Sequence, residues 1–252
     1  MIDPHVEALS YFIKHFDRID YAGAEPLEYQ KPTYTVRIAA GRADITMKTH
    51  HATADSAREE VEPFLRAWEL TAALELGPGQ FEFVYHQPKI VDRASTLQPF
   101  LVVAVASCAI ETINPHIQRL KYPDPPSPDV AVDEAVTKMF ERFKRYRFCQ
   151  TTLGDAANFC LTVLTSKAGG RKCAAARYSI QKKVLDKLGE LAANKGGNEA
   201  RKANGTVADF TATERDWLEK TIHCLIRRAA EIAGDHSTCL PQITMADLPP
   251  LP

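Results

Sequence analysis

The sequence predicts an α+β fold: a small N-terminal α+β domain, built of strands plus one long helix, followed by a C-terminal α-helical bundle. Three observations predict it. Residues 33–48 alternate apolar and polar side chains around a glycine turn. Beyond residue 129, four segments repeat apolar residues at intervals of three and four. Between the two regions, Tyr122 to Pro128 holds four prolines in seven residues, which neither a helix nor a central strand accepts.

In chain order, the first part reads as mixed strand and helix, and Leu9 to Phe16 in it is rich in aromatic residues and isoleucine, with turn and acidic residues following. Thr33 to Ala39 and Ala43 to Lys48 form a β-hairpin, with Gly41 supplying the unusual backbone angle of the turn. Ser56 to Glu59 fits a capping box, in which a hydroxyl and a carboxylate each satisfy a free amide at a helix start. Val61, Leu65, Trp68 and Ala72 then mark the buried face of a helix running to about Leu76. Pro63 is expected in its first turn or two, where a missing amide costs least. Gly77-Pro78-Gly79 ends that helix. Phe81 to His86 reads as a strand, and Phe100 to Ala106 as a buried strand or short helix.

The proline run is a semi-rigid linker, so the expected division is residues 1–121, a linker at 122–128, a helical bundle at 129–236 and an extended tail at 237–252. The bundle's stripes are Val132, Val136, Met139, Phe140 and Phe143; then Leu153, Ala157, Cys160 and Leu164; then Ile180, Val184, Leu188 and Leu191. The last is Leu218, Ile222, Leu225, Ala229 and Ile232, begun by a second capping box at Thr211 and Glu214 and ended by Gly234. Asn194 to Asn204, with its glycines and charges, reads as a loop.

The 252 residues are 45% apolar and 25% charged, with a net charge of −1, so composition alone forces no charged partner. The longest apolar run, Phe100 to Ile110, is about half of the ~20 residues a membrane helix needs. With no basic-then-apolar stretch at the N-terminus, a cytoplasmic location is expected. Six cysteines occur without a CxxC pair or a zinc-like spacing. Free, buried thiols are therefore expected, with no metal and no cofactor.

Charge is unevenly placed. Residues 1–128 hold 12 Lys and Arg against 17 Asp and Glu, whereas Lys138 to Lys202 holds 15 against 5. Arg142, Lys144 and Arg145 are expected on one helix, and Arg171, Lys172, Arg177, Lys182 and Lys183 on another. These eight are the candidate nucleic-acid or anion-binding residues. The competing reading is solvated helix faces, since no aromatics interleave with them. Gly169 to Lys172 is similar to an anion site at a helix start, but a helix-to-helix turn explains it equally.

For catalysis, His50-His51 lies between a strand and a helix with Asp55 and Glu59 close behind, a combination suited to a general base or a metal. Against this, adjacent residues of an extended chain point in opposite directions, and the two carboxylates already serve the helix start. Trp68 reads as core. His223 and Arg227, one helical turn apart, could form a polar pair, but flanking Cys224 and Ile226 favour ordinary packing. No GxxxxGK[ST], GxGxxG or GxSxG motif is present, and no catalytic residue is assigned.

The order LGDAANFCLTVL, AAARYSIQKKVLDKLGEL and TATERDWLEKTIHCLIRRAAEI resembles the helical domain of the HEPN superfamily, especially its Apea-like branch in bacterial conflict systems. REEVEPFLRAWEL followed by FEFVYHQPKIVDR resembles the α+β portions preceding such bundles. The resemblance implies a helical bundle that pairs as a homodimer. In active members it also implies a metal-independent ribonuclease, with an Arg followed after four to six residues by a His. Here Arg228 precedes His236, and Arg215 precedes His223, each with seven residues between, so no catalytic residue carries over. The expectation is a non-catalytic binding or regulatory protein, an accessory component of an antiviral or conflict system acting through protein–protein contacts. RNA binding, or a HEPN-type ribonuclease, by the basic helices is the alternative.

Overall fold

A computed structural model describes residues 1–15, 19–21, 23–94, 117–195, 208–234 and 240–251. The chain divides into two compact units, Met1–Pro125 and Pro126–Pro252, a boundary that falls inside the proline run.

The first unit is a five-stranded antiparallel sheet with one long helix. Its strands are β1 (Pro4–Lys14), β3 (Leu27–Gln30), β4 (Tyr34–Ala39), β5 (Arg42–Met47) and β6 (Glu82–Asp92), in the order β3-β4-β5-β1-β6. A short parallel pair, β2 (Ile19–Asp20) with β7 (Ile117–Gln118), stands apart from it. The β4–β5 hairpin turns at Ala40 and Gly41, with φ of 48° and 71°, the left-handed pair that matches the twist of the flanking strands. Alternation then sorts the side chains. Tyr34, Val36 and Ile38, with Ala43, Ile45 and Met47, are buried on one face.

Helix α1 (Ala54–Leu76) lays Val61, Phe64, Leu65 and Trp68 into that buried face. Its cap is Thr53, whose hydroxyl accepts from the Ser56 amide at 3.3 Å, so the expected start at Ser56 is one turn late. Consequently Pro63 sits in the third turn. It is exposed there, as is Glu59, whose carbonyl it cannot bond. Trp68 is fully buried among Phe64, Phe81 and Phe83, and its indole N–H donates to the Pro123 carbonyl at 3.1 Å. Tyr122 stacks on Tyr21, ring centroids 5.2 Å apart, and its hydroxyl accepts from the Gly41 amide at 3.0 Å. The first two residues of the expected linker are thus core of the first unit.

The second unit is helical: α2 (Glu134–Arg147), α3 (Leu153–Ala168), α4 (Arg171–Arg177), α5 (Lys182–Asn194) and α6 (Ala212–Ala233). Asp133, Thr152 and Thr211 cap α2, α3 and α6, and Thr211 with Glu214 completes the expected capping box. Helix α3 packs against each of the other four, and the stripe residues Val136, Phe143, Cys160, Leu164, Val184, Leu188, Ile222 and Leu225 are buried. The third expected segment is two helices, broken where Ser179 takes a φ of 47°. The tail is docked rather than simply extended. Ile243 pairs with Ile180, Leu248 is buried, and Met245–Asp247 makes a 3-10 turn.

Among the described residues no helix is long and apolar enough to cross a membrane. The Phe100 to Ala106 expectation and most of the Asn194 to Asn204 loop lie outside the described residues.

Candidate functional site

The cations of the helical unit are largely paired within it. On α2, Arg142 bonds Asp155 of α3 at 3.1 Å and lies over the Phe159 ring at 4.7 Å. Asp186 takes both Arg171, at 3.1 Å, and Lys182, at 2.7 Å, and those bonds, Lys182 first, hold its carboxyl below the usual range. The eight candidates span three helices rather than two, because Arg171, Lys172 and Arg177 lie on α4 whereas Lys182 and Lys183 lie on α5. Arg177 donates to the Lys167 carbonyl at 3.4 Å and lies over Tyr178. Lys144 is engaged as well. Arg145, Lys172 and Lys183 are exposed, and no carboxylate among the described residues pairs with them; they sit on α2, α4 and α5 respectively.

Of the two Arg–His spacings, Arg228, Arg215 and His223 are among the described residues. Arg228 is buried and donates to the carbonyls of Tyr178 at 3.0 Å, Ser179 at 3.2 Å and Pro241 at 2.9 Å, and to Glu231 at 2.8 Å. Both terminal nitrogens of the guanidinium hold backbone, and Nε holds the Glu231 carboxylate. Arg215 donates to the Phe210 carbonyl, while His223 meets the Phe143 ring edge-on at 4.7 Å, and burial lowers its pKa. His223 neighbours Glu219, whose carboxylate accepts from Tyr146 and Arg147. Burial, then Glu219, push the Tyr146 phenol up to about 12. His236 lies outside the described residues.

At the junction of β5 and α1, the two adjacent histidines do point apart. His50 stacks on His5, centroids 5.3 Å apart, and approaches Asp3 at 3.8 Å. His51 is bonded at both ring nitrogens: Nδ1 lies 3.0 Å from the Ser56 hydroxyl and Nε2 lies 2.7 Å from Glu60 Oε2. Thr49 adds contacts of 3.1 Å to His51 and 3.3 Å to Glu60. Hydrogen bonds from Thr33, His51 and Thr49 keep the Glu60 carboxyl below its ordinary pKa. The partner carboxylate is therefore Glu60, not Asp55 or Glu59. Ser56 and Glu60 are four residues apart on one helix, which places both on the same face toward His51. Among the described residues no group of three His, Cys, Asp or Glu could hold a metal ion.

The sheet face away from α1 carries a mixed patch. Phe12 is 46% exposed and Val84 44%; they are direct cross-strand partners on β1 and β6. His86 is the unopposed residue of a β6 bulge, and its ring lies 4.5 Å from that of Phe12. Beside them Ser10 donates to Asp44 at 2.7 Å, and Arg42 bonds both Ser10, at 2.9 Å, and Asp44, at 3.0 Å.

No family model matches the chain, and no curated protein or solved structure matches it. Of the four cysteines among the described residues, all are free thiols. Cys160 is buried, which raises its pKa to about 12, and Cys224 is half-buried, whereas Cys149 and Cys173 are exposed, contrary to the expectation of burial. Exposure follows from position. Cys149 lies in the turn after α2, and Cys173 on the outer side of the short α4.

Proposed function

We propose that this chain is a binding or regulatory protein that works through protein–protein contacts, with the open face of the five-stranded sheet as its contact surface. The observation that carries this is the Phe12–Val84 pair. Two large apolar side chains stand opposite each other in solvent, rimmed by the Ser10–Arg42–Asp44 network. An apolar centre with a polar rim is the anatomy of a protein interface, and a partner presenting an apolar side chain ringed by hydrogen-bonding groups fits it. The HEPN-like reading of the helical unit, its homodimerisation, and a place as accessory component of a bacterial conflict system belong to the same proposal. Sequence resemblance is their support.

RNA binding draws first on Arg145, Lys172 and Lys183, because Arg142, Arg171, Arg177 and Lys182 have partners within the unit. The test is a photo-crosslinking residue at Phe12 in the native host, followed by reconstitution with the purified polypeptide it captures. Binding that is lost in Phe12→Ser and Val84→Ser but kept in Lys172→Ala supports the proposal. Salt-sensitive RNA binding that is lost in Lys172→Ala and kept in Phe12→Ser overturns it.

A further inference from the structure

We propose that Ser56 is a nucleophile for activated acyl groups, with His51 as its general base and Glu60 as the residue that positions His51. The connectivity is hydroxyl to imidazole to carboxylate, through opposite ring nitrogens, at 3.0 and 2.7 Å. The order of a nucleophile, a base and a group orienting the base is what activates a serine, and it recurs on unrelated scaffolds. Here Nε2–H donates to Glu60, which leaves Nδ1 as the acceptor for the Ser56 proton.

Three further features separate this arrangement from a brace at a helix start. Thr53 already caps α1, so the Ser56 hydroxyl is not needed by the backbone. The chain of groups runs from Glu60, tied to Thr49 and held in its ionised form, to an exposed serine, so the reactive end faces solvent. Ser56 is also the third residue of a 23-residue helix. In that first turn the amides of Ala54 and Asp55 have no acceptor among the described residues, and the helix's partial positive charge favours a developing oxyanion.

The substrate class is an ester, or another acyl group with a good leaving group, presented at the surface. Ser56 Oγ bonds the carbonyl carbon while its proton passes to His51 Nδ1. The carbon–oxygen bond to the leaving alcohol breaks, and the alcohol departs with that proton. Water then attacks the acyl-serine, again giving a proton to His51, and releases the carboxylic acid with the serine restored.

The test uses the full chain and a fluorophosphonate probe. Its phosphorus–oxygen bond forms at the serine as fluoride leaves, and no second step removes the adduct. The expected result is one adduct mapped to Ser56, absent in Ser56→Ala, at least ~100-fold slower in His51→Gln and slowed in Glu60→Gln. In the wild-type chain the labelling rate falls toward acid, as reactions that need a general base do. Circular dichroism checks that each variant is folded. If His51→Gln is not folded, the wild-type pH profile decides. A flat profile, an adduct elsewhere, no adduct, or an unchanged rate in folded His51→Gln overturns the assignment.

Discussion

Arg228 Nη1 donates to the Tyr178 carbonyl at 3.0 Å, bridging fifty positions of sequence. The same side chain reaches Pro241, so one guanidinium fastens both the α4–α5 turn and the C-terminal tail to α6. Arg228→Ala removes the donor to the Tyr178 and Pro241 carbonyls, leaves Ser179 only the Ile243 amide, and is expected to cost about 3 kcal/mol, since buried groups stripped of a charged partner lose most. Urea denaturation measures the loss. Limited proteolysis should show the tail cut first.

Ala40 holds a φ of 48°, which an alanine side chain disfavours by about 1 kcal/mol. Ala40→Asn, suited to the left-handed pair of a two-residue hairpin, should stabilise the first unit by roughly 0.5–1 kcal/mol. Replacing Gly41 instead with alanine should destabilise by a similar amount. Paired thermal melts distinguish the two.

His5 is buried, its Nδ1 has no partner, and burial, followed by Arg93 and His50, lowers its pKa below 6.5. Above that value both folded and unfolded chains carry it neutral. As pH falls through 6.5 the unfolded chain takes the proton first, so stability declines until the folded-state value is reached. Glu60, lowered from 4.5, adds a loss of the same sign only at lower pH. Melting temperature should thus drop as pH falls through 6.5. His5→Phe keeps a ring against His50 and should reduce that drop. His223→Phe should do the same for the helical unit, where the burial-lowered His223 follows the same sign.

Trp68→Phe removes the donor to Pro123 and leaves a gap among Phe64, Phe81 and Phe83. A loss of about 2 kcal/mol is expected, read by denaturation followed through circular dichroism.

What the sequence revealed was what is encoded locally. The β4–β5 hairpin follows from alternation and a two-residue turn, and the start of α6 follows from Thr211 and Glu214, three residues apart. Where two local solutions competed, pattern reading chose wrongly. Thr53 and Ser56 are both good caps, and only the packed helix shows that Thr53 is used. The break between α4 and α5 was hidden because Ser179, not a glycine, takes the left-handed angle. The Ser56–His51–Glu60 chain is hidden in the sequence because Asp55 and Glu59 are the carboxylates nearest to His51 in number, whereas helical geometry selects residue 60. The pairing of Arg142 with Asp155 and of Arg171 with Asp186 depends on interhelical packing, which charge counting does not encode. Arg228's reach to Pro241 joins the last long helix to the tail beyond it, and no local motif announces it.

The anchoring of Tyr122 and Pro123 bears on how the chain can be divided. A cut after Lys121, where composition first turns proline-rich, would amputate the ring stacked on Tyr21 and the acceptor of the Trp68 indole. The truncated fragment would be left with a wound in its own interior, whereas severing after Pro125 would spare it.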